Sequence, residues 1–262
     1  MDQLLSHGQL DAYFRRVGLP DTPQTDIGGL RQLHRAQFFT IPFENFDVLS
    51  GQGIDLTPDV VFEKLVMSRR GGYCFELNGL MLRVLRTLGF NARPLLARVH
   101  LTAPPSGRTH QLNLVQFVNE NWLMDVGFGA GGPRAPLPLR EGVTDCGVAS
   151  FELSQREPWG WMMRTLEAGE WKSSYSFDLG HVTTEDIEIG NHYTSTSPKT
   201  HFTQLATVSL PTPEGRISLR DLKLTEFDDS VERTREIEPK FYLNLLRNTF
   251  GIELPELPAT IG

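Results

Sequence analysis

The sequence is short of cysteine, of basic charge and of long apolar runs, and each shortage removes a class of function. Two cysteines, Cys74 and Cys146, in 262 residues are too few for a disulfide scaffold and lack the paired spacing of a zinc site. Two free thiols are expected, so the useful question is whether either reacts. Basic residues number 25 against 32 acidic ones, a formal net charge of −7, and no basic run exceeds Arg69-Arg70. A chain that tracks phosphates carries a basic excess or stripe, so nucleic acid is excluded as a partner. No stretch approaches the roughly 18 apolar residues of a membrane span. The opening MDQLLSHGQLDAYFRRVGLP lacks the basic start, apolar middle and small-residue cleavage site of a signal peptide, and a cytoplasmic protein is expected. There is no Walker A sequence, no HExxH and no tight histidine spacing, so no metal is expected. Gly127-Phe128-Gly129-Ala130-Gly131-Gly132 satisfies the dinucleotide pattern literally, but Pro133, Pro136 and Pro138 forbid the helix that would hold a pyrophosphate.

What is present suffices for a sizeable core: 39% apolar residues, 10% aromatic and 22% charged. The length fits one large domain or two to three small ones. The first ninety residues read as helical, with apolar residues at three-to-four spacing over Leu10 to Val17 and Leu30 to Phe39. Thr57 as N-cap and Pro58 at the first helical position start a third helix, to about Ser68. Cys74, Leu77, Met81, Val84 and Leu88 form one buried stripe of a fourth, which Gly89 ends as the left-handed residue. From Arg93 the period changes. Six strand-length segments in about 85 residues, separated by Pro, Gly and Asn turns, suggest an antiparallel barrel or sandwich. After Asn191 come TQLATVSL and GRISL, then a closing helix from Pro239 that carries Phe241, Tyr242, Leu245, Leu246 and Thr249 before Gly251. With no repeat and no low-complexity linker, the three parts are expected to pack as one body.

A lone cysteine on an apolar helical stripe is most often a small core residue. Two features of Cys74 argue for more. A thiol in the first helical turn faces the positive end of the macrodipole, which favours the nucleophilic thiolate. The preceding Arg69-Arg70-Gly71-Gly72 brings positive charge near and leaves main-chain N–H groups to hold an oxyanion. Cys146, in a loop with no base beside it, is a bystander, and His181, His192 and His201 read as surface or loop residues.

A thiol nucleophile needs a base, and the base needs an orienting group. His110 heads the apolar strand Thr109-His110-Gln111-Leu112-Asn113-Leu114-Val115, and Asp125 follows the apolar Trp122-Leu123-Met124. Hairpin register decides whether they meet. A tight turn on Val118-Asn119 puts Asp125 opposite Leu112, on the face of His110 and within about 7 to 8 Å of it. A loop over Asn119 to Asn121 puts it opposite Val115, on the other face and about 16 Å away. Spacing alone leaves both open, together with the simpler reading that His110 caps a strand and Asp125 bonds backbone.

Ile41-Pro42-Phe43-Glu44-Asn45, Arg69 through Gly79 (RRGGYCFELNG), Thr109-His110 and Asp125-Val126-Gly127-Phe128-Gly129 resemble, in order, the signature blocks of the arylamine N-acetyltransferases. The resemblance is strongest over residues 41–135. It implies a Cys-His-Asp triad at Cys74, His110 and Asp125 on an α+β fold with a core like that of cysteine proteases and transglutaminases. The implied parts are a helical bundle (residues 1–90, with Cys74), an antiparallel β-barrel (91–190, with His110 and Asp125) and an α/β lid (191–262). It implies acetyl-CoA as acyl donor, with Thr109 and Gly129 along its pantetheine arm. Phe43, Val99, Phe128 and Phe202 would line a pocket for an arylamine or arylhydrazine, in xenobiotic metabolism. Glu44 and Arg70 would be a structural ion pair behind the nucleophile. The same triad would also serve an amide synthase or thioester hydrolase, and oligomeric state is not specified.

Overall fold

The computed structural model describes residues 3–228, 231–258 and 261. Helices α1 (His7–Val17) and α2 (Ile27–Phe38) form where the apolar spacing predicts, each one turn earlier than the apolar residues begin. Their starts are capped by polar side chains: Ser6 accepts from the Gln9 N–H, and Asp26 from the Gly29 N–H. A two-residue strand β1 (Phe43–Glu44) and a single turn α3 (Phe46–Leu49) precede α4 (Pro58–Phe62). The third helix continues past α4 as a π-helical turn, Glu63–Met67. Thr57 occupies its N-cap position but makes no capping bond, its own N–H being taken by Asp55 instead. Helix α5 (Cys74–Thr87) is the central one; Gly89, at φ +84°, follows it as expected. Leu77, Met81 and Val84 of α5 join Leu30, Leu33 and Phe38 of α2 in the first core.

Eight antiparallel strands follow: β2 (Asn91–Val99), β3 (Arg108–Gln116), β4 (Asn121–Met124), β5 (Leu137–Pro138), β6 (Gly142–Asp145), β7 (Ser150–Arg156), β8 (Gly160–Glu167) and β9 (Glu170–Phe177). Their order in the sheet is β5-β4-β3-β2-β9-β8-β7-β6. Only residues 139–141 separate the two edge strands β5 and β6, so the sheet curls into a nearly closed barrel. Leu95, Leu112, Leu114, Leu123, Phe151 and Met163 fill it. Along β3 the alternation is strict: Leu112 and Leu114 point into the barrel, while Val115 joins the helical core on the other side.

A helix that the apolar pattern does not announce, α6 (Thr184–Thr196), connects the barrel to the last part. Its buried residues are Ile187 and the small or polar Gly190, Asn191, Thr194 and Ser195, so it carries almost no apolar stripe to read. The capping box of Thr183 and Asp186 starts it. The second sheet has the order β1-β10-β11-β12-β13, with β10 (Thr207–Pro211), β11 (Gly215–Arg220), β12 (Lys223–Asp228) and β13 (Val231–Glu236). The last two strands go beyond the sequence reading; β13, VERTRE, is exposed throughout and so shows no apolar alternation. The closing helical segment runs from Pro239 through α7 (Tyr242–Leu245) and a π-turn to Phe250, and packs Tyr242, Leu246 and Phe250 on Val208, Leu219 and Leu224.

Candidate active site

The β3–β4 hairpin pairs Asn113 with Met124, Leu114 with Leu123, Val115 with Trp122 and Gln116 with Asn121. The Phe117 N–H donates to the Glu120 carbonyl, so the turn falls on Val118-Asn119. One step beyond the last pair, Asp125 stands opposite Leu112, on the face of His110. His110 Nε2 lies 2.8 Å from Asp125 Oδ2, with 3% and 1% of the two side chains exposed. Cys74 adjoins His110 closely enough to act on its imidazole, and the thiol lies 3.7 Å from the Thr109 carbonyl oxygen. The structure therefore brings Cys74, at the first position of α5, His110 and Asp125 together.

Burial by itself would drive His110 towards the neutral form. The Asp125 carboxylate, by charge and hydrogen bond, and the adjoining Cys74 reverse this and raise its pKa to about 10. Asp125 shows the converse: burial would raise it, but the His110 charge and bonds from His110, Asn78 and the Gly127 N–H hold it below its ordinary value. An imidazolium beside the sulfur supplies the positive charge that a thiolate nucleophile needs.

Two polar side chains outside the predicted triad hold Asp125. Asn78, one turn along α5 from Cys74, donates to Asp125 Oδ1 at 3.0 Å and to the Gln111 carbonyl at 2.6 Å, and accepts from the Val126 N–H at 3.0 Å. His34 on α2 is fully buried, and its Nε2 lies 3.1 Å from the Asp125 carbonyl oxygen. Burial lowers the pKa of His34 to about 4 despite that bond, so it acts as a neutral donor. Asn78 lies within a signature block; for His34 the sequence offers no signal, because its partner is 91 residues away. Gly127 has a steric role: a Cβ there would lie 2.5 Å from Asn78 Nδ2 and 2.9 Å from Cys74 Cα.

Two expectations about the approach to Cys74 are corrected. Arg70 does not lend free positive charge to the thiol, because its guanidinium is bound by Glu44 at 2.8 Å and Asp47 at 2.7 Å. Lys64 extends the network to Asp47 and Glu76, both at 2.7 Å. The amides next to the thiol are not free either: the Gly72 N–H donates to the Pro42 carbonyl and the Tyr73 N–H to Glu76 Oε2. The network instead fixes the start of α5, where the Cys74 amide belongs to the orphan N–H groups of the helix. Glu44 and Arg70 form the ion pair that the resemblance implies.

Phe43, Val99, Phe128, Phe202, Thr109 and Gly129 are all half-buried, whereas the Cys74, His110 and Asp125 side chains are buried. The Phe43 and Phe202 rings are 5.8 Å apart, and the Tyr73 ring meets Phe202 edge-on. Phe128 lies 5.1 Å from both His110 and Tyr175, and Val99 pairs across the sheet with Tyr175. Gly129, at φ +77°, backs onto Phe43, and the Thr109 hydroxyl donates to Ser106 Oγ. Cys146 stands apart, in the turn after β6, where burial pushes its thiol up. His181 and His192 are exposed, the latter on α6. Among the described residues no group of three or more His, Cys, Asp or Glu could hold a metal ion, and no helix is long and apolar enough to cross a membrane.

A family model described as N-acetyltransferase matches residues 26–258. The arylamine N-acetyltransferase / N-hydroxyarylamine O-acetyltransferase of Salmonella typhimurium is 36% identical, over 93% of this chain and 88% of that protein. The arylamine N-acetyltransferase of Mycolicibacterium smegmatis is 35% identical, over 95% and 93%. The structure of the Salmonella typhimurium arylamine N-acetyltransferase superposes with a TM-score of 0.89 at 35% identity, covering 98% of this chain and 95% of that one. That of Mycobacterium marinum in complex with CoA gives 0.87 at 30%, covering 93% and 92%. Sequence blocks, fold and site geometry agree with these similarities, and the chain belongs to the arylamine N-acetyltransferase family.

Proposed function

We propose that this chain transfers an acetyl group from acetyl-CoA to the nitrogen of an arylamine or arylhydrazine, in ping-pong order, through an acetyl-Cys74 intermediate. The observation that carries this reading is the position of His110 between the Cys74 thiol and the Asp125 carboxylate. The Cys74 thiolate attacks the acetyl carbonyl carbon and forms the new C–S bond. The C–S bond to CoA breaks, and the departing thiolate takes the proton held on His110. The exchange of one thioester for another is close to thermoneutral. In the second half the amine lone pair attacks the acetyl-cysteine, His110 accepts the amine proton, and the Cys74 thiolate leaves. Asp125 orients the imidazole throughout and stabilises its charged form.

Phe43, Val99, Phe128 and Phe202 are assigned to the acceptor side, where rings at several angles favour a flat aryl group over an aliphatic one. An arylamine is also largely unprotonated near neutral pH and so remains nucleophilic. Thr109 and Gly129, beside the thiol and Phe43, are assigned to the pantetheine arm. Two free cysteines and a thiol nucleophile suit a reducing compartment, which supports a cytoplasmic location.

The test is to mix the enzyme with radiolabelled acetyl-CoA and no amine, then add an aniline. The expected course is one equivalent of label on protein and one of CoA released, then turnover only when the amine arrives. Cys74→Ala should show neither. Steady CoA release without amine would make the chain a thioester hydrolase, and label retained by Cys74→Ala would overturn the mechanism.

A further inference from the structure

Behind Cys74 and His110, on the side of β3 away from His110, lies a cavity of about 430 Å³. It is enclosed by the 54–58 segment, α4, α5, α6 and β3. Its size falls within the roughly 300 to 1,000 Å³ of small-molecule sites, far above the ~30 Å³ that one water takes. Leu56, Val61, Phe75 and Ile187 give it apolar walls.

Three features are specific. Gln111 lines the cavity with only 1% of its surface exposed, and its Nε2, which is turned away from the open volume, has no hydrogen-bond partner among the described residues. A buried donor left unpaired costs about 1 to 3 kcal/mol, which an acceptor on a bound molecule would recover. Gly79, in the middle of α5, also lines the cavity, and a Cβ there would meet nothing within 4 Å. Glycine at a helix interior costs about 1 kcal/mol relative to alanine, so the open volume is held where the helix would gain from a side chain. Finally, the exposed carboxylates of Asp55 and Glu188 stand at the rim. The cation that lines the cavity, Arg83, is committed to Asp59 and to the carbonyls of Gln3, Leu4 and Pro58.

We infer that this cavity is a binding site, separate from Cys74, His110 and Asp125, for a small organic cation bearing a carbonyl acceptor: ammonium at the Asp55–Glu188 rim, apolar body between α5 and α6, carbonyl on the Gln111 amide, which turns its buried donor into the cavity on binding. Such a ligand differs from the acceptor substrate, whose amine must be unprotonated to react. Phe75 and Gln111 each follow a reactive residue in the chain, so occupancy bears on Cys74 and His110 from behind. The inference stands on the cavity alone and does not depend on the acetyl-transfer reading.

The probe is 4-(aminomethyl)benzamide, titrated calorimetrically into the full chain with and without saturating aniline. One-to-one binding that aniline does not displace is expected. It should be lost in Gly79→Leu, which fills the cavity, and weakened about tenfold in Gln111→Leu and in the Asp55→Asn/Glu188→Gln pair. The neutral 4-methylbenzamide should also bind about tenfold more weakly. Gly79→Ala, a smaller intrusion that favours the helix, is the second variant should Gly79→Leu not fold, and it should weaken binding. No saturable binding would make the cavity a water pocket only, and binding that survives the Gly79 variants or competes with aniline would place the probe elsewhere; either result overturns the inference.

Discussion

Asp125 receives bonds from His110, Asn78 and the Gly127 N–H in a place where water does not reach, and its backbone carbonyl is held by His34. At the scale of single residues the site is thus a charged pair kept charged by its surroundings. The sign of the pH dependence follows. His110 titrates at about 10 when folded, against an ordinary 6.5, so its pairing contributes stability in full below 6.5 and loses it as pH rises through 10. Asp125, held low, loses its contribution only on the acid side. Urea midpoints of the native chain and of His110→Gln should differ most just below pH 6.5 and converge as pH rises towards 10. A gap that stays constant over that window would contradict the assignment. Cys74, His110 and Asp125 are legible as candidates because their chemistry is rare in apolar segments; Asn78 and His34 are not legible as supports, because an amide or imidazole shows its purpose only through its partner.

The elements that meet at the site differ in how openly they are written. Helix α5 is legible down to its last residue, because a 3-4 stripe, Gly71-Gly72 before it and Gly89 after it leave few alternatives. The hairpin of β3 and β4 was ambiguous between two registers. The two-residue turn at Val118-Asn119 resolves it, and with a period of two that choice decides which face Asp125 occupies. Helix α6 was illegible because small and polar residues do its packing: a Cβ on Gly190 would come 2.9 Å from the Phe75 ring. A close approach between elements that bears on the site is at Gly127, where the chain leaving β4 crosses α5. Gly127→Ala should push the two apart at a cost of about 1 to 3 kcal/mol and with a clear loss of acetyl transfer. Thermal unfolding and turnover measured on one preparation check both effects, and an active variant of unchanged stability would show that the crossing has slack.

Over the whole molecule, one short block joins the parts. Within Ile41 to Asn45, Phe43 and Glu44 pair with Ser209 and Val208 of β10, Glu44 receives Arg70, and Phe43 bridges to Gly72. Asn45 binds the carbonyls of Phe202 and Leu205 at 2.8 Å and the Thr207 N–H at 2.7 Å. A side chain 1% exposed therefore fixes the segment that carries Phe202 against the helical part. Asn45→Ala should free residues 202–207 to faster hydrogen exchange and raise KM for the aryl acceptor several-fold, with a smaller effect on the acetylation half-reaction. Equal loss in both halves would mean that Asn45 supports the nucleophile rather than the acceptor wall.

What the sequence determined by itself is local: helices and strands with a strong apolar period, their caps and turns, and the identity of the groups able to do thiol chemistry. These depend on neighbours a few residues away, and the chain states them directly. The tertiary structure decided the rest, since each remaining feature depends on groups far apart in the chain. It chose the hairpin register, neutralised Arg70 with Glu44 and Asp47, engaged the Gly72 and Tyr73 amides, and brought His34 to Asp125. The scarcity of cysteine left a single thiol on an apolar helix to consider, and only the packing of α5 against β3 gave that thiol its imidazole.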